Sequence, residues 1–293
     1  MITLEGLPHM IRAPIIPDAP KAITKGVPLK LLINDQAIEC LAFNILYVYR
    51  QFNVDAFCAQ AKTGLETLSL MERGKHVAVA LRATLPQNYT QALAILIDSL
   101  TPEETFTEDF GLSGFFYLPH SFFISEYGLD KENNDGEDPF DVSMEAMFTL
   151  TKRFTAEFAI RHFLIEQQDR TLAYLEKRLN DKCPNIRRLC TEGTRPKLPW
   201  GKRIQSFVIN PQPTLPFLEA LKDDESLFVR RSVANHLGDI AKDHPQLVFT
   251  LCEGWLEQEV SDEVKWVIRH ALRYPAKQKN PQALSIRTAA NPR

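Results

Sequence analysis

Three carboxylates and one tryptophan occur where their residue types could do chemistry. Glu192 lies in Thr191–Gly201, TEGTRPKLPWG, with Arg195, Lys197, two prolines and Trp200. Proline stiffens the backbone. Pro184 suits the first turn of a helix and Gly193 suits the left-handed position that ends one. Glu192 is therefore expected at a helix C-terminus, where the macrodipole disfavours a carboxylate. A residue that breaks a local rule marks function, unless it simply pairs with Arg187 or Arg188 one turn back. Glu157 sits in FTAEFAIRHF among apolar neighbours, with Arg161 at i+4 on the same helical face. Asp239, in NHLGDIAKDHP, is a third acid on an apolar-rich helix. Taken singly, each is an ordinary surface or bracing acid. Together, on a face lined with arginine, they would form a negative pit in a positive groove. A carboxylate fixed there can stabilise developing positive charge, or position and deprotonate water.

The elements that must hold these residues repeat. NIRRLCTEG from Asn185, FVRRSVANHLGDIAK from Phe228 and WVIRHALRYPAK from Trp266 each carry an aliphatic residue followed by Arg. Arg187 and Arg230 are 43 residues apart, and Arg230 and Arg269 are 39 apart. Periods of this size mark paired-helix repeats of the HEAT type. AEFAIRHFLIEQQ, with Arg161, reads as one more turn of the device. Helical spacing also covers IECLAFNILYVYRQF, VDAFCAQAKTGLETL and YTQALAILIDSL. LDKENNDGEDPFD reads as an acidic surface loop, and the aromatic GLSGFFYLPHSFFISEYG as core. Strand signals are weak. The fold expected is all-α, a HEAT-like helical-repeat solenoid, with a Pro-rich arm at 1–27, the solenoid at 28–282 and a tail at 283–293. Stacked repeats place equivalent arginines in a line: Arg161, Arg187 and Arg188, Arg230 and Arg231, Arg269. Such a line matches a row of phosphates, to which Arg donates two parallel hydrogen bonds. One Arg of each pair can instead brace neighbouring repeats through Asp. Bracing leaves Lys197, Lys202, Arg203 and His236 unaccounted for.

Charge agrees with a polyanionic partner. Residues 1–150 hold 10 Lys+Arg against 20 Asp+Glu, and residues 151–293 hold 24 against 17, although the net charge is only −3. A basic half in an acidic chain is an electrostatic footprint for a polyanion. No apolar run reads as long enough to span a bilayer, and the N-terminus lacks the pattern of a signal peptide. A cytoplasmic location follows. Five scattered cysteines without C-x-x-C or zinc-ligand spacing point to reduced thiols, and no metal or cofactor is expected.

The strings FTAEFAIR, IRRLCTEGTRPKLPWGKRI, PTLPFLEALKDDESLFVRRSVANHLGDIAKDHPQLV and WVIRHALR closely resemble the AlkC branch of the AlkC/AlkD DNA alkylation-repair glycosylases. The resemblance runs from about Leu29 to Lys279. It implies a HEAT-like solenoid whose concave face grips duplex DNA. The implied activity is hydrolysis of the N-glycosidic bond of cationic alkylated bases, chiefly 3-methyladenine and also 3-methylcytosine or 1-methyladenine. The reaction would proceed without base flipping and would initiate base excision repair. Carried over, the catalytic set is Glu157, Glu192, Trp200 and Asp239. The DNA-binding set is Arg161, Arg187, Arg188, Arg195, Lys197, Lys202, Arg203, Arg230, Arg231, His236, Arg269 and His270. Trp200 then offers a ring face to a cationic base or to the sugar, an attraction of about 0.5–2 kcal/mol. Many AlkC-type chains continue into an immunoglobulin-like module, which this sequence lacks after the solenoid, and the arm at 1–27 differs from the usual start. The expected partner is double-stranded alkylated DNA, bound by a monomer and away from membranes. The competing expectation is a HEAT-repeat scaffold without catalysis that binds DNA structure or protein.

Overall fold

The computed structural model describes residues 14–103 and 107–291, and every regular element among them is helical. The chain divides into two compact units, Met1–Ala159 and Ile160–Arg293.

Unit 1 carries α1 (Asp35–Val48), α2 (Val54–Lys62), α3 (Leu70–Thr84), α4 (Tyr89–Asp98), α5 (Leu118–Tyr127) and α6 (Phe140–Thr151). Side-chain caps fix its helix starts. Asn34, Asn53 and Asn88 each accept from the backbone N–H three residues on, and Ser69 with Glu72 forms a capping box. The aromatic segment is core as expected: Phe116, Tyr117 and Phe123 are buried, and Tyr89 stacks on Phe123 at 5.8 Å. The acidic loop contains one 3-10 turn, Lys131–Asn134, anchored where buried Asn134 accepts from the Thr90 N–H at 3.1 Å.

Two expectations change here. By length and composition, Leu29–Val48 does qualify as a membrane span, with mean hydropathy 1.3. Its helix is interrupted at Ile33 and Asn34, however, and α1 packs on α2 and α4 as a core helix. The first thirteen residues of the arm lie outside the described residues, and its remainder is docked. The Ile15 N–H donates to Asn44 Oδ1 at 3.0 Å, Asn44 Nδ2 donates to the Ile15 carbonyl at 2.7 Å, and the Leu112 N–H donates to the Pro20 carbonyl at 3.1 Å.

Unit 2 carries α7 (Ile160–Glu166), α8 (Gln168–Glu176), α9 (Pro184–Glu192), α10 (Gln205–Ile209), α11 (Leu215–Leu221), α12 (Leu227–Ile240), α13 (Pro245–Leu256), α14 (Asp262–Ala271), α15 (Arg273–Lys277) and α16 (Pro281–Ala289). The repeat is visible in the packing. Helices α9, α12 and α14, which carry the aliphatic-Arg pairs, lie side by side, and α11 and α13 back them. Their buried residues, Ile186 and Leu189, Val229 and Val233, and Val264, Val267 and Ile268, recur at helical spacing. Residues 283–289, read from sequence as tail, belong to α16, which buries Ala283 and Ile286. The five cysteines are unpaired, and Cys190 and Cys252 are buried.

Candidate catalytic cluster and nucleic-acid interface

Glu192 ends α9 and Trp200 lies on the connection from α9 to α10, which a buried arginine shapes. Arg161 of α7 has no exposed surface. Its guanidinium donates to the carbonyls of Gly193 (3.1 Å), Arg195 (2.7 Å), Pro196 (3.3 Å) and Lys202. These contacts satisfy the Gly193, Arg195 and Lys202 carbonyls and add to the bond that the Ile204 N–H makes to the Pro196 carbonyl at 3.2 Å. A Cβ at Gly201 would stand 3.1 Å from the Arg161 side chain, so a small residue is needed there. Trp200, just before it, has a φ of 63°, the left-handed region that costs a bulky residue of order 1–3 kcal/mol. It is 59% exposed. Strained backbone thus presents a large ring to solvent. Gly193 differs from expectation. Its φ of −63° is ordinary helix, and the residue is small because a Cβ would lie 2.7 Å from Ile160 Cγ2.

Glu192 and Asp239 are both buried, at 5% and 2% exposure. Arg195 joins them. Its Nη1 donates to Glu192 Oε1 at 2.6 Å, and its Nε and Nη2 both reach Asp239 Oδ2 at 2.8 Å. The second Glu192 oxygen accepts from Ser232 Oγ at 2.6 Å, and Ser232 Oγ in turn lies 2.7 Å from Thr191 Oγ1. Arg188 stands 3.5 Å from Glu192 and Lys242 stands 3.0 Å from Asp239. Burial pushes the Glu192 pKa up, but the Arg188 and Arg195 guanidiniums and the Ser232 hydroxyl outweigh it and hold the carboxyl below its ordinary value. Glu192 is therefore ionised at neutral pH. Burial pushes His236 down to about 4, so it is neutral and donates Nδ1–H to the Thr191 carbonyl at 3.0 Å.

Several cations of the expected DNA-binding set face inward. Arg161, Arg195 and His236 are buried in the contacts just given, so none of them is presented to a phosphate. Arg187 is a brace between repeats, paired with Asp224 through Nε at 2.6 Å and Nη2 at 2.9 Å. Arg230 donates to the Asp224 carbonyl at 2.6 Å. Lys197 pairs with Asp243 at 2.5 Å, and Arg269 donates to the Ala290 carbonyl. In the second Arg pair Arg231 is exposed, whereas Arg188 of the first is half-buried, turned to Glu192 and lying 4.5 Å over the Phe228 ring. Lys202 and Arg203 are exposed beside Trp200. His270 stacks on Trp266 at 4.8 Å and meets Asn235 Oδ1 at 3.2 Å. Burial, then Arg273 and Arg231, lower its pKa to about 4, so it too is neutral.

Glu157 belongs to unit 1. It is buried at 9% exposure, with Oε2 accepting from Thr155 Oγ1 at 2.9 Å. Glu192, Asp239 and Trp200 belong to unit 2, where Arg195 unites the first two and the same loop carries the third. Sequence reasoning missed Thr191 and Ser232, whose hydroxyls carry no charge pattern. The only signal was that Ser232 follows the RR pair directly on the helix facing α9.

A solved relative has this architecture. The Pseudomonas fluorescens alkylpurine DNA glycosylase AlkC, bound to DNA containing an abasic site analogue, is similar with a TM-score of 0.79 and 38% identity, over 91% of this chain and 69% of that one. The chain belongs to the AlkC family. The uncharacterized protein YhaZ of Bacillus subtilis strain 168 is 36% identical over 259 residues, which are 88% of this chain and 67% of YhaZ. A comparison with protein-family models finds no match. The AlkC resemblance read from the strings around Glu192 and Asp239 is thus matched across most of the chain.

Proposed function

We propose that this protein is a monofunctional DNA glycosylase. It hydrolyses the N-glycosidic bond of cationic alkylated bases in duplex DNA, with 3-methyladenine first and 3-methylcytosine or 1-methyladenine as further substrates. It acts as a monomer in the cytoplasm and without base flipping, as the first step of base excision repair. The observation that carries this reading is the ionised, immobilised Glu192 at the end of α9, with the strained, exposed Trp200 on the connection that follows, in a family with a solved relative that is an alkylpurine DNA glycosylase.

An alkylated base already carries positive charge and leaves readily. As the bond breaks, its electron pair departs with the base and charge develops on the sugar. A carboxylate fixed beforehand stabilises that charge without having to reorganise. Water supplies the nucleophile, its oxygen bonds to the sugar carbon, and its proton passes to a carboxylate or solvent. Trp200 faces the cationic base or sugar. Exposed Lys202, Arg203 and Arg231 support contacts to phosphates.

The test is release of 3-methyladenine from methylated duplex DNA with enzyme in excess. Stoichiometric release in a single exponential supports the reading. Binding without release would return the chain to a DNA-binding scaffold.

A further inference from the structure

We propose that Arg195 is a positioning residue for this reaction: its guanidinium clamps Glu192 and Asp239 as a fixed pair of carboxylates, with Ser232 holding the second Glu192 oxygen. The inference rests on the glycosylase reading and assigns a role that the charge pattern gave to phosphate binding.

Two edges of one planar group are in use. Nε and Nη2 face Asp239, and Nη1 faces Glu192. Lysine, a single point charge, cannot span both partners with directed bonds. Arg195 is 8% exposed, and its neighbours leave no edge for a phosphate. The hydroxyl chain has one direction. A carboxylate only accepts, so Ser232 gives its single proton to Glu192 Oε2, and Thr191 gives its own to Ser232. Both oxygens of Glu192 are thereby fixed before DNA arrives. The charged and titratable groups around the pair are Arg188 from α9, Lys242 just after α12, His236 from α12 and Arg161 from α7. Arg188 meets Glu192 and Lys242 meets Asp239. His236 bonds the Thr191 carbonyl, and Arg161 holds the carbonyl of Arg195 itself.

Removing the clamp leaves two buried carboxylates without their shared counterion, and a carboxyl so placed takes up a proton nearer neutrality. Excision by Arg195→Gln should then rise with pH between 6 and 9, about tenfold per unit below its midpoint, as a single titration does. The wild type should be flat there with respect to Glu192. Arg195→Lys should restore part of the rate. Affinity for methylated duplex DNA and its salt dependence should stay as in the wild type.

A second readout needs no excision. In the wild type the lowered Glu192 pKa contributes stability above the unfolded value, lost as pH falls through the folded one. In Arg195→Gln that contribution is absent or reversed at high pH. The melting-temperature gap between wild type and variant should therefore widen from pH 5 to pH 8. If Arg195→Gln does not fold, Ser232→Ala should cut excision several-fold at unchanged DNA affinity. A flat pH profile for Arg195→Gln, with a salt slope shallower by about one phosphate, would overturn the clamp. So would a wild-type rate in Ser232→Ala. A wild type that releases no base, together with the widening gap, would sink the glycosylase reading and leave the clamp standing.

Discussion

Glu192 ends α9 with its carboxylate turned to two guanidiniums, and that outcome reverses what the helix terminus alone would favour. The macrodipole penalty is about 0.3–1 kcal/mol. The charge-assisted contacts from Arg195, Arg188 and Ser232 exceed it, as the lowered pKa records. Glu192→Gln should therefore lose stability at pH 7, by about 1–3 kcal/mol, rather than gain it. Because the folded pKa is depressed, the deficit should shrink as acid protonates the wild-type carboxylate, and paired thermal melts at pH 7 and pH 4 would show it. Excision should fall on the order of a hundred-fold while DNA affinity holds. A variant that cuts at the wild-type rate would leave Glu192 as no more than a partner for its arginines. Trp200 offers the opposite combination. Glycine relaxes a left-handed φ, so Trp200→Gly should melt no lower than wild type while excision of cationic bases falls. A large drop in melting temperature would mean that the ring is structural.

At the scale of elements, Arg161 is the residue on which the α9–α10 connection depends. Replacing it with methionine strands the buried carbonyls of Gly193 and Arg195, because Pro196 keeps the Ile204 N–H and Lys202 is exposed, and each unsatisfied group costs about 1–3 kcal/mol. Arg161→Met should fail to give a cooperative melt, or should lose the ordered loop first, seen as protease cleavage between Gly193 and Lys202. The arm is a second case. Its prolines and sparse apolar residues suggest a dispensable segment, yet Asn44, fully buried, has both polar atoms bonded to Ile15. A chain beginning at Pro28 should consequently melt lower, by the equivalent of about 1–3 kcal/mol. Truncation without any change in the melt would show that the contact adds nothing. The two arrangements share a cause. A side chain that bonds backbone carbonyls leaves no periodic trace, so neither was legible in sequence.

For the whole molecule, phosphate contact should be measured by its dependence on salt. Arg231 is exposed where Arg187, Arg195 and Arg161 are engaged internally. Arg231→Ala should shallow the log–log salt slope by about one, and Arg187→Ala should leave the slope unchanged while lowering stability. Equal slopes for wild type and Arg231→Ala would remove that residue from the interface. The helical repeat was legible because its period rests on apolar residues, and α9, α12 and α14 line up as the aliphatic-Arg pairs indicate. Legibility stopped at the partners of charged residues. A cation count does not distinguish an arginine that meets Asp224 from one that meets solvent, because that choice is made by residues 37 positions away. For the same reason the sequence brought Glu192 and Asp239 to one face but did not show that Arg195 lies between them.

The cysteines bear on how such a protein endures its surroundings. Methylating agents that damage DNA also attack sulfur, and they react with the thiolate rather than the thiol. Burial pushes Cys40, Cys190 and Cys252 up to about 12 and raises Cys58 as well. At neutral pH these sulfurs keep their protons, and Cys190 and Cys252 are also shielded from contact. Mass spectrometry after exposure to a methylating agent should find Cys190 and Cys252 unmodified in the folded protein and alkylated once it is denatured. At these two positions the folded chain withholds its sulfur from the kind of agent whose damage it would remove, and their alkylation during an exposure would be set by the unfolding rate.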